Sequence, residues 1–464
     1  MTKGELLRDT GGLLKEKGYI IKVLDLIDPN RSDGYNPFEY IRSDDDILKL
    51  VTNLFKSTTP KNAQSQDPFW DNAAQMLLLA LMFYLYHEAP KSEQNFQMIM
   101  EMIRAGDVSE DDPDYESQLD QLFFRLGKRN KEHIAFRHYM DYRKGAGKTL
   151  KSIQITLLSH LSKFNLDSIA RLTFSDDMEL DKMGDRKTAL YAVIPNTDTS
   201  FNFLVSMLYT QLFQQLDYKA DVVYKGGLKV PVHLVMDEFA NIALPDNFEI
   251  ELATMRSRNI STSIILQNLA QLKALYEKQW ENILGNCDTF LYLGGNEQST
   301  HEYITKLLGK ETIDLNTYGQ SHGRNGNYST NWQITGRELM TPDEVRRLDN
   351  RYALLFIRGE MPVRDLKFDL KRHPNIALTV DGGGKPYFHE DTGCSIASVE
   401  ICEANDPRLD VMDDDSEDEF IILSSEEIEK IIEENSNEKK IPLNELRKNG
   451  GKNNDGFITE EHKE

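Results

Sequence analysis

Cysteine is scarce in this 464-residue chain: only Cys287, Cys394 and Cys402. An odd count with no C-x-x-C pair excludes a disulfide-stapled scaffold and a structural zinc site, and points to a reducing compartment. Long apolar runs are missing too. The longest, Met76–Tyr86, has eleven residues, and a membrane span needs about 20. The opening MTKGELLRDT lacks the apolar core of a signal peptide. The chain is therefore expected to be soluble and cytoplasmic. Positive charge is in deficit: 54 Lys+Arg face 76 Asp+Glu, a net charge of −22. That excludes a general DNA-coating protein and leaves local basic patches open. What is present, 39% apolar and 28% charged residues, is a globular composition. At about 150 residues per domain there is material for roughly three domains.

The acidity is concentrated at the end. Residues 401–464 hold 20 acids and 8 basic residues. The run DDDSEDE and the closing GGKNNDGFITEEHKE have too few large apolar residues to fold alone. Residues 386–464 therefore read as an acidic, mostly disordered tail, either a solubilising extension or a docking segment for a basic partner. Within it SSEEIEKIIEE, from Ser424, reads as a short capped helix.

Short apolar runs at 18–28, 188–194, 231–237, 261–266, 288–293 and 352–358 read as buried strands. Helical patterns at Phe203–Leu216, Phe248–Ser257 and Ser299–Leu308 separate several of them. Such alternation implies α/β architecture, a parallel sheet with helices on both faces. From Asp44 to Ser175 strand signals vanish and helix signals take over, starting with Asp67-Pro68 as a cap and first turn. The division expected is 1–43 and 176–385 for the α/β domain, and 44–175 for an inserted all-α domain. Its stretch RLGKRNKEHIAFRHYMDYRKGAGK is basic with interleaved aromatics. It either meets a phosphate backbone or is a solvated face balanced by the acidic DVSEDDPDYE.

RKGAGKT at 143–149 imitates a phosphate loop. The motif G-x-x-x-x-G-K-[ST] needs glycine at 142, where Tyr142 stands. The loop must also follow a strand and open a helix, whereas EHIAFRHYMDY reads as helix. A turn between two helices is expected.

The strongest chemical signal is VHLVMDEFAN, 232–241. A buried strand ends in Asp237 and Glu238, at the carboxyl edge where α/β sheets bind ligands. One acid can hold Mg²⁺, usually through its water shell; the next can orient and deprotonate the water that attacks a γ-phosphate. Arg256 and Arg258 end the following helix. Either can reach a neighbouring subunit's nucleotide as a finger, or simply favour the helix dipole. Gln267, at the tip of the next strand, is a γ-phosphate sensor or a loop-capping amide.

These residues resemble a family: type IV secretion coupling proteins of the TraG/TraD kind, in the form carried by conjugative elements of Gram-positive bacteria. The resemblance spans Lys3 to about Arg372. It rests on KGELLRDTGGLL, YNPF, FWDNAAQMLL, GKTLKSI, ELDKMGDRKTALYAVIPNTDTSFNF, MDEFANI, ATMRSRNISTSIILQNLAQL, NILGNCDTFLYLGG and LLGKET. It implies a RecA-like P-loop NTPase motor domain with an inserted all-α domain, assembling as a membrane-anchored hexamer. The implied cofactors are ATP and Mg²⁺. The implied partners are single-stranded DNA, relaxase and relaxosome proteins, and the ATPases of the secretion channel. Asp237 would be the Mg²⁺ ligand, Glu238 the catalytic acid, Arg256 the finger with Arg258 a second candidate, and Gln267 the sensor. GKT at 147–149 falls in the family's all-α domain.

One departure stands out. In the family a strand, a phosphate loop and a membrane anchor precede D-P-K-G-E-L, and this chain opens at Met1-Thr2-Lys3-Gly4-Glu5-Leu6. It resembles a coupling protein cut at its amino end, or one half of a split protein, and weak ATP binding is expected of it alone. Two functions follow: an ATP-driven DNA motor completed in trans, or a nucleotide-independent docking module for relaxosome proteins. A chromosome-segregation translocase is disfavoured by the inserted helices. The loop 317–332, with Arg324, Tyr318, Tyr328 and Trp332, is a surface hairpin tip or a face turned to DNA. After it Thr341, Pro342 and Glu344 mark a capped helix start.

Overall fold

A computed structural model describes residues 4–59, 68–109, 115–195, 198–242, 244, 248–320 and 328–389. The SSEEIEKIIEE segment, Asp67, Arg324 and nearly all of the acidic tail lie outside these residues.

The apolar, β-branched runs form the expected strands. Helix Glu5–Glu16 leads into β1 (Ile20–Asp25), which pairs in parallel with β2 (Thr188–Val193). The second parallel pair is β3 (Val232–Met236) with β4 (Ile260–Ile264), in the register Met236↔Ile264. Helix Asn202–Tyr218 connects the first pair to the second, and helix Phe248–Met255 connects β3 to β4. The sheet then departs from an all-parallel order. Strand β5 (Thr289–Tyr292) is antiparallel to β8 (Tyr352–Ile357), which is antiparallel to β9 (Val363–Leu366). Between them β6 (Lys310–Gln320) and β7 (Tyr328–Glu338) form a separate antiparallel ribbon. Antiparallel return is what a hairpin connection permits; parallel neighbours need a crossover.

Among the described residues seven α-helices lie between β1 and β2: Asp44–Thr58, Pro68–Glu88, Phe96–Arg104, Gln118–Arg129, Ile134–Arg143, Gly147–Leu161 and Asp167–Leu172. Among the described residues they include no strand. Helix Pro68–Glu88 absorbs the longest apolar run. Leu77, Leu78, Leu81, Met82 and Phe83 are all fully buried, so the run is the centre of a helical core. No described helix is long and apolar enough to cross a membrane. The helices are not a detached lobe: Leu24 of β1, Phe83, Phe164, Phe203 and Met236 of β3 belong to one continuous hydrophobic cluster.

The basic stretch of these helices is partly neutralised from within. Arg129 pairs with Glu88, Arg143 Nε lies 3.0 Å from the buried Asp120 carboxylate, and Lys144 lies 2.6 Å from Asp141. The GKT sequence opens helix Gly147–Leu161 directly after helix Ile134–Arg143, with Lys148 exposed. No strand precedes it, so its backbone forms an ordinary inter-helix turn. Thr341 caps helix Pro342–Arg346 in a capping box with Glu344, as its spacing predicts.

The last described residues return to the amino-terminal helix. Tyr387 N donates to Arg8 O at 2.8 Å, and His389 Nε2 lies 3.2 Å from the buried Asp33 carboxylate.

Candidate functional site

Strands β3 and β4 run in parallel, so the residues after both leave the sheet at one edge. Asp237 and Glu238 follow β3 there, and Gln267 follows β4. The pairing persists past the strands: Ile265 N donates to Met236 O at 3.1 Å and Phe239 N to Ile265 O at 3.0 Å. Between these bonds the chain makes a tight turn, with Glu238 in the left-handed region at φ 50° and ψ 49°. A non-glycine residue there carries about 1–3 kcal/mol of strain and needs surrounding structure to hold it. Phe239 supplies that hold. It is fully buried, with its ring 5.5 Å from that of Phe248 and 6.1 Å from that of Tyr276. Asp237 accepts a hydrogen bond from Glu238 N at 3.1 Å. Both acids are half-buried and Gln267 is exposed.

A third loop joins this edge. Leu269 N donates to Thr300 Oγ1 at 3.0 Å, and a Cβ on Gly295, just beyond β5, would lie 4.0 Å from Gln267 O. Glu297 caps the helix that follows. It accepts from Ser299 N at 2.8 Å and Thr300 N at 2.9 Å. Burial opposes its ionisation, but the hydrogen bonds of Thr300 and Ser299 prevail and hold its carboxyl at about 2.

Although β4 and β5 lead to adjoining loops, they do not pair. Among the described residues β4 pairs only with β3, and β5 only with β8. The strands are also bare where a doubly covered sheet would be buried. Val235 of β3 is 55% exposed, Leu291 of β5 54%, and Leu293 just past β5 52%.

The two arginines sit at the opposite edge. They form the turn Arg256–Arg258 immediately before β4, about 17 Å along the strand from the acids at ~3.3 Å per residue. Their environments differ. Arg258 is held by Asp221 at 2.7 Å, by Asp217 at 3.2 Å and by Thr254 Oγ1 at 2.5 Å. Burial and the neighbouring Glu251 carboxyl push Asp217 up to about 7 despite Arg258, while the Arg258 hydrogen bond pulls Asp221 down. Arg256 is exposed, and no ion pair engages it among the described residues. Asp217, Asp221, Thr254 and Glu251 belong to no motif in the sequence; the four-residue spacing of Asp217 and Asp221, one turn of helix apart, is the one signal of this cluster that it holds.

A cleft of about 1720 Å³ lies behind the turn Phe239–Asn241, against helices Asp44–Thr58 and Asn202–Tyr218. Lys49, Lys56, Lys163, Asp217 and Glu251 line it, and the pair Asp237 and Glu238 does not. The acids thus occupy an open sheet edge. Half of a nucleotide site fits them: a carboxylate for a hydrated cation and a second for a water. No glycine-rich loop able to wrap phosphates follows a strand among the described residues.

The model of the family described as Type IV secretory system Conjugative DNA transfer matches residues 2–369. The chain belongs to this family. The chain is 20% identical over 372 residues to Protein VirD4 of Rhizobium rhizogenes, covering 78% of this chain and 52% of that protein. It is 23% identical over 368 residues to Conjugal transfer protein TraG of Escherichia coli, covering 75% and 56%. The chain thus spans about half the length of these conjugative relatives. Solved structures of the plasmid coupling protein TrwB share the fold. The trigonal form with sulphate has a TM-score of 0.54 at 15% identity, covering 80% of this chain and 79% of that one. The complex with ADP and Mg²⁺ has a TM-score of 0.50 at 14% identity, covering 80% and 85%. The α/β fold with an inserted helical domain, inferred from the sequence, is the fold this chain shares with TrwB.

Proposed function

We propose that this chain supplies most of the motor of a conjugative coupling protein, which uses ATP to pass relaxase-bound single-stranded DNA to a type IV secretion channel. The Asp237–Glu238 turn carries the reading: two adjacent carboxylates on the carboxyl edge of parallel strands, one held in a strained conformation, in a chain matched to the DNA-transfer family. Asp237 would hold Mg²⁺ through its water shell. Glu238 would orient the attacking water and take its proton, and Gln267, at the same edge, would sense the γ-phosphate. Arg256, exposed on the far edge and in no ion pair among the described residues, suits a finger offered to a neighbouring copy in a ring, whereas Arg258 serves its own chain. Residues 1–43 and 176–385 would form the RecA-like domain and 44–175 the all-α domain. Residues 386–464 would form the acidic tail, tethered at its start by Tyr387. Relaxosome proteins, a hexameric ring and the channel ATPases are the partners this implies, and the cytoplasmic face of the membrane the place.

The unpaired edges of β4 and β5 suit one further strand, whose following glycine-lysine-threonine loop would arrive beside Asp237 and Glu238. Without it this chain holds Mg-ATP weakly. The test is equilibrium binding of a fluorescent ATP analogue with Mg²⁺, with and without a polypeptide carrying such a strand and loop. Millimolar affinity alone, tightened by the polypeptide and trapped by Glu238→Gln, is the expected result. No binding at millimolar concentration under either condition defeats the motor reading and leaves a docking module.

A further inference from the structure

The β6–β7 ribbon is a sheet of its own, paired with none of the other described strands. Each strand has eleven residues, about 37 Å at ~3.4 Å per residue, and no third strand joins it among the described residues. Its root is secured, since Leu339 N donates to Gly309 O at 3.1 Å and Arg337 Nη2 lies 2.7 Å from Glu344. An isolated two-stranded ribbon is marginal in water unless something covers a face. Here one face carries Trp332 and Ile334, two residues apart on β7 and each 72% exposed. Trp70 and Trp280, by contrast, pack against the main core.

Register defines the rest of that face. Trp332 stands opposite Asn316 and Ile334 opposite Asp314, while Tyr318 stands opposite Thr330 and Gln320 opposite Tyr328. Alternation along the strands therefore puts Trp332, Ile334 and Asp314 on one side. The charges lie towards the root, where Lys310 faces Glu338 and Glu311 faces Arg337, with Asp314 next along β6 opposite Ile334. From Leu315 to Arg337 the sequence has no acid, in a chain with 76 of them. It offers amides, hydroxyls and aromatics instead.

We propose that this face, centred on Trp332, is a stacking site for single-stranded nucleic acid. A polyanion can approach the acid-free stretch from Leu315 to Arg337 with less of the repulsion that a chain of charge −22 presents elsewhere. Unpaired bases stack on exposed aromatics whatever their sequence, and paired ones cannot. The inference rests on the DNA-handling part of the proposed function and is independent of nucleotide binding.

The test measures binding of the full chain to a short fluorescent homothymidine oligonucleotide by anisotropy at low salt. A bromodeoxyuridine version is photocrosslinked and the attached peptide identified by mass spectrometry. Trp332→Ala is expected to weaken binding about 5- to 150-fold, the effect of losing one base–aromatic stack. Trp332→Phe should retain most of the affinity, and the crosslink should fall on Trp332. Because the side chain is exposed, the thermal melt of Trp332→Ala should match that of the unmodified chain. Equal affinities with a crosslink elsewhere overturn the site while leaving DNA handling intact. Absence of any oligonucleotide binding by the unmodified chain defeats both readings. Self-association that Trp332→Ala abolishes, without an effect on DNA, would make the ribbon a contact between copies and overturn the proposal.

Discussion

Arg258 Nη2 lies 2.7 Å from the carboxylate of Asp221, so one of the two arginines before β4 is engaged within its own chain. Asp217 and Thr254 complete the grip. The clamp ties the end of helix Asn202–Tyr218 to the turn entering β4, and leaves Arg256 outward on that same turn.

Removing the clamp should therefore cost stability, and removing its neighbour should not. Arg258→Ala strands Asp217 next to Glu251 and is expected to cost about 1–3 kcal/mol. Arg256→Ala should stay within about 0.5 kcal/mol, as exposed substitutions do. Urea denaturation of both variants checks this. Equal losses would mean that the clamp contributes nothing.

Asp217 also makes stability depend on pH. Its carboxyl titrates near 7 in the folded chain against 3.8 ordinarily. The folded state therefore binds this proton more tightly than the unfolded state. The stabilisation is fully present below about pH 4 and is lost as pH rises through about 7. Asp217→Asn should flatten that part of the stability profile between pH 5 and 8, as followed by denaturation at each pH. An unchanged slope would refute the assignment.

Leu291 and Val235 are apolar, on strands, and more than half exposed. Leu291→Asp and Val235→Asp should change the stability of this chain by no more than about 0.5 kcal/mol. The same changes should prevent a strand-and-loop polypeptide from tightening Mg-ATP binding. Unimpaired enhancement would mean that the added strand, if any, seats elsewhere.

Gly11 is needed for its lack of a side chain. A Cβ there would come within 2.6 Å of the Tyr387 ring. Gly11→Ala should displace Tyr387 at a cost of about 1–3 kcal/mol and speed proteolysis at Lys385. Unaltered cleavage kinetics would show that Tyr387 does not hold the end of the described chain.

Much of this molecule was legible in one dimension. The strands at 20–25, 188–193, 232–236, 260–264, 289–292 and 352–357 lie within or one residue beyond the apolar runs that predicted them. Burial selects such residues locally, and a local choice leaves a local record. The same holds for the Thr341–Glu344 capping box, for the misplaced GKT, and for the acids that end β3.

Relations between distant segments left no such record. Nothing near Arg256 and Arg258 tells them apart, because Asp217 and Asp221 approach from 41 and 37 residues away. The left-handed turn at Glu238 depends on Phe239 being pinned by Phe248 and Tyr276. The antiparallel β5–β8–β9 sheet, the bare edges of β4 and β5, and the exposure of Trp332 depend on which partners a strand finds. Composition and periodicity determined what each segment becomes, since backbone geometry and burial act over a few residues. Which charges meet, and which faces stay uncovered, was decided only when the chain closed on itself.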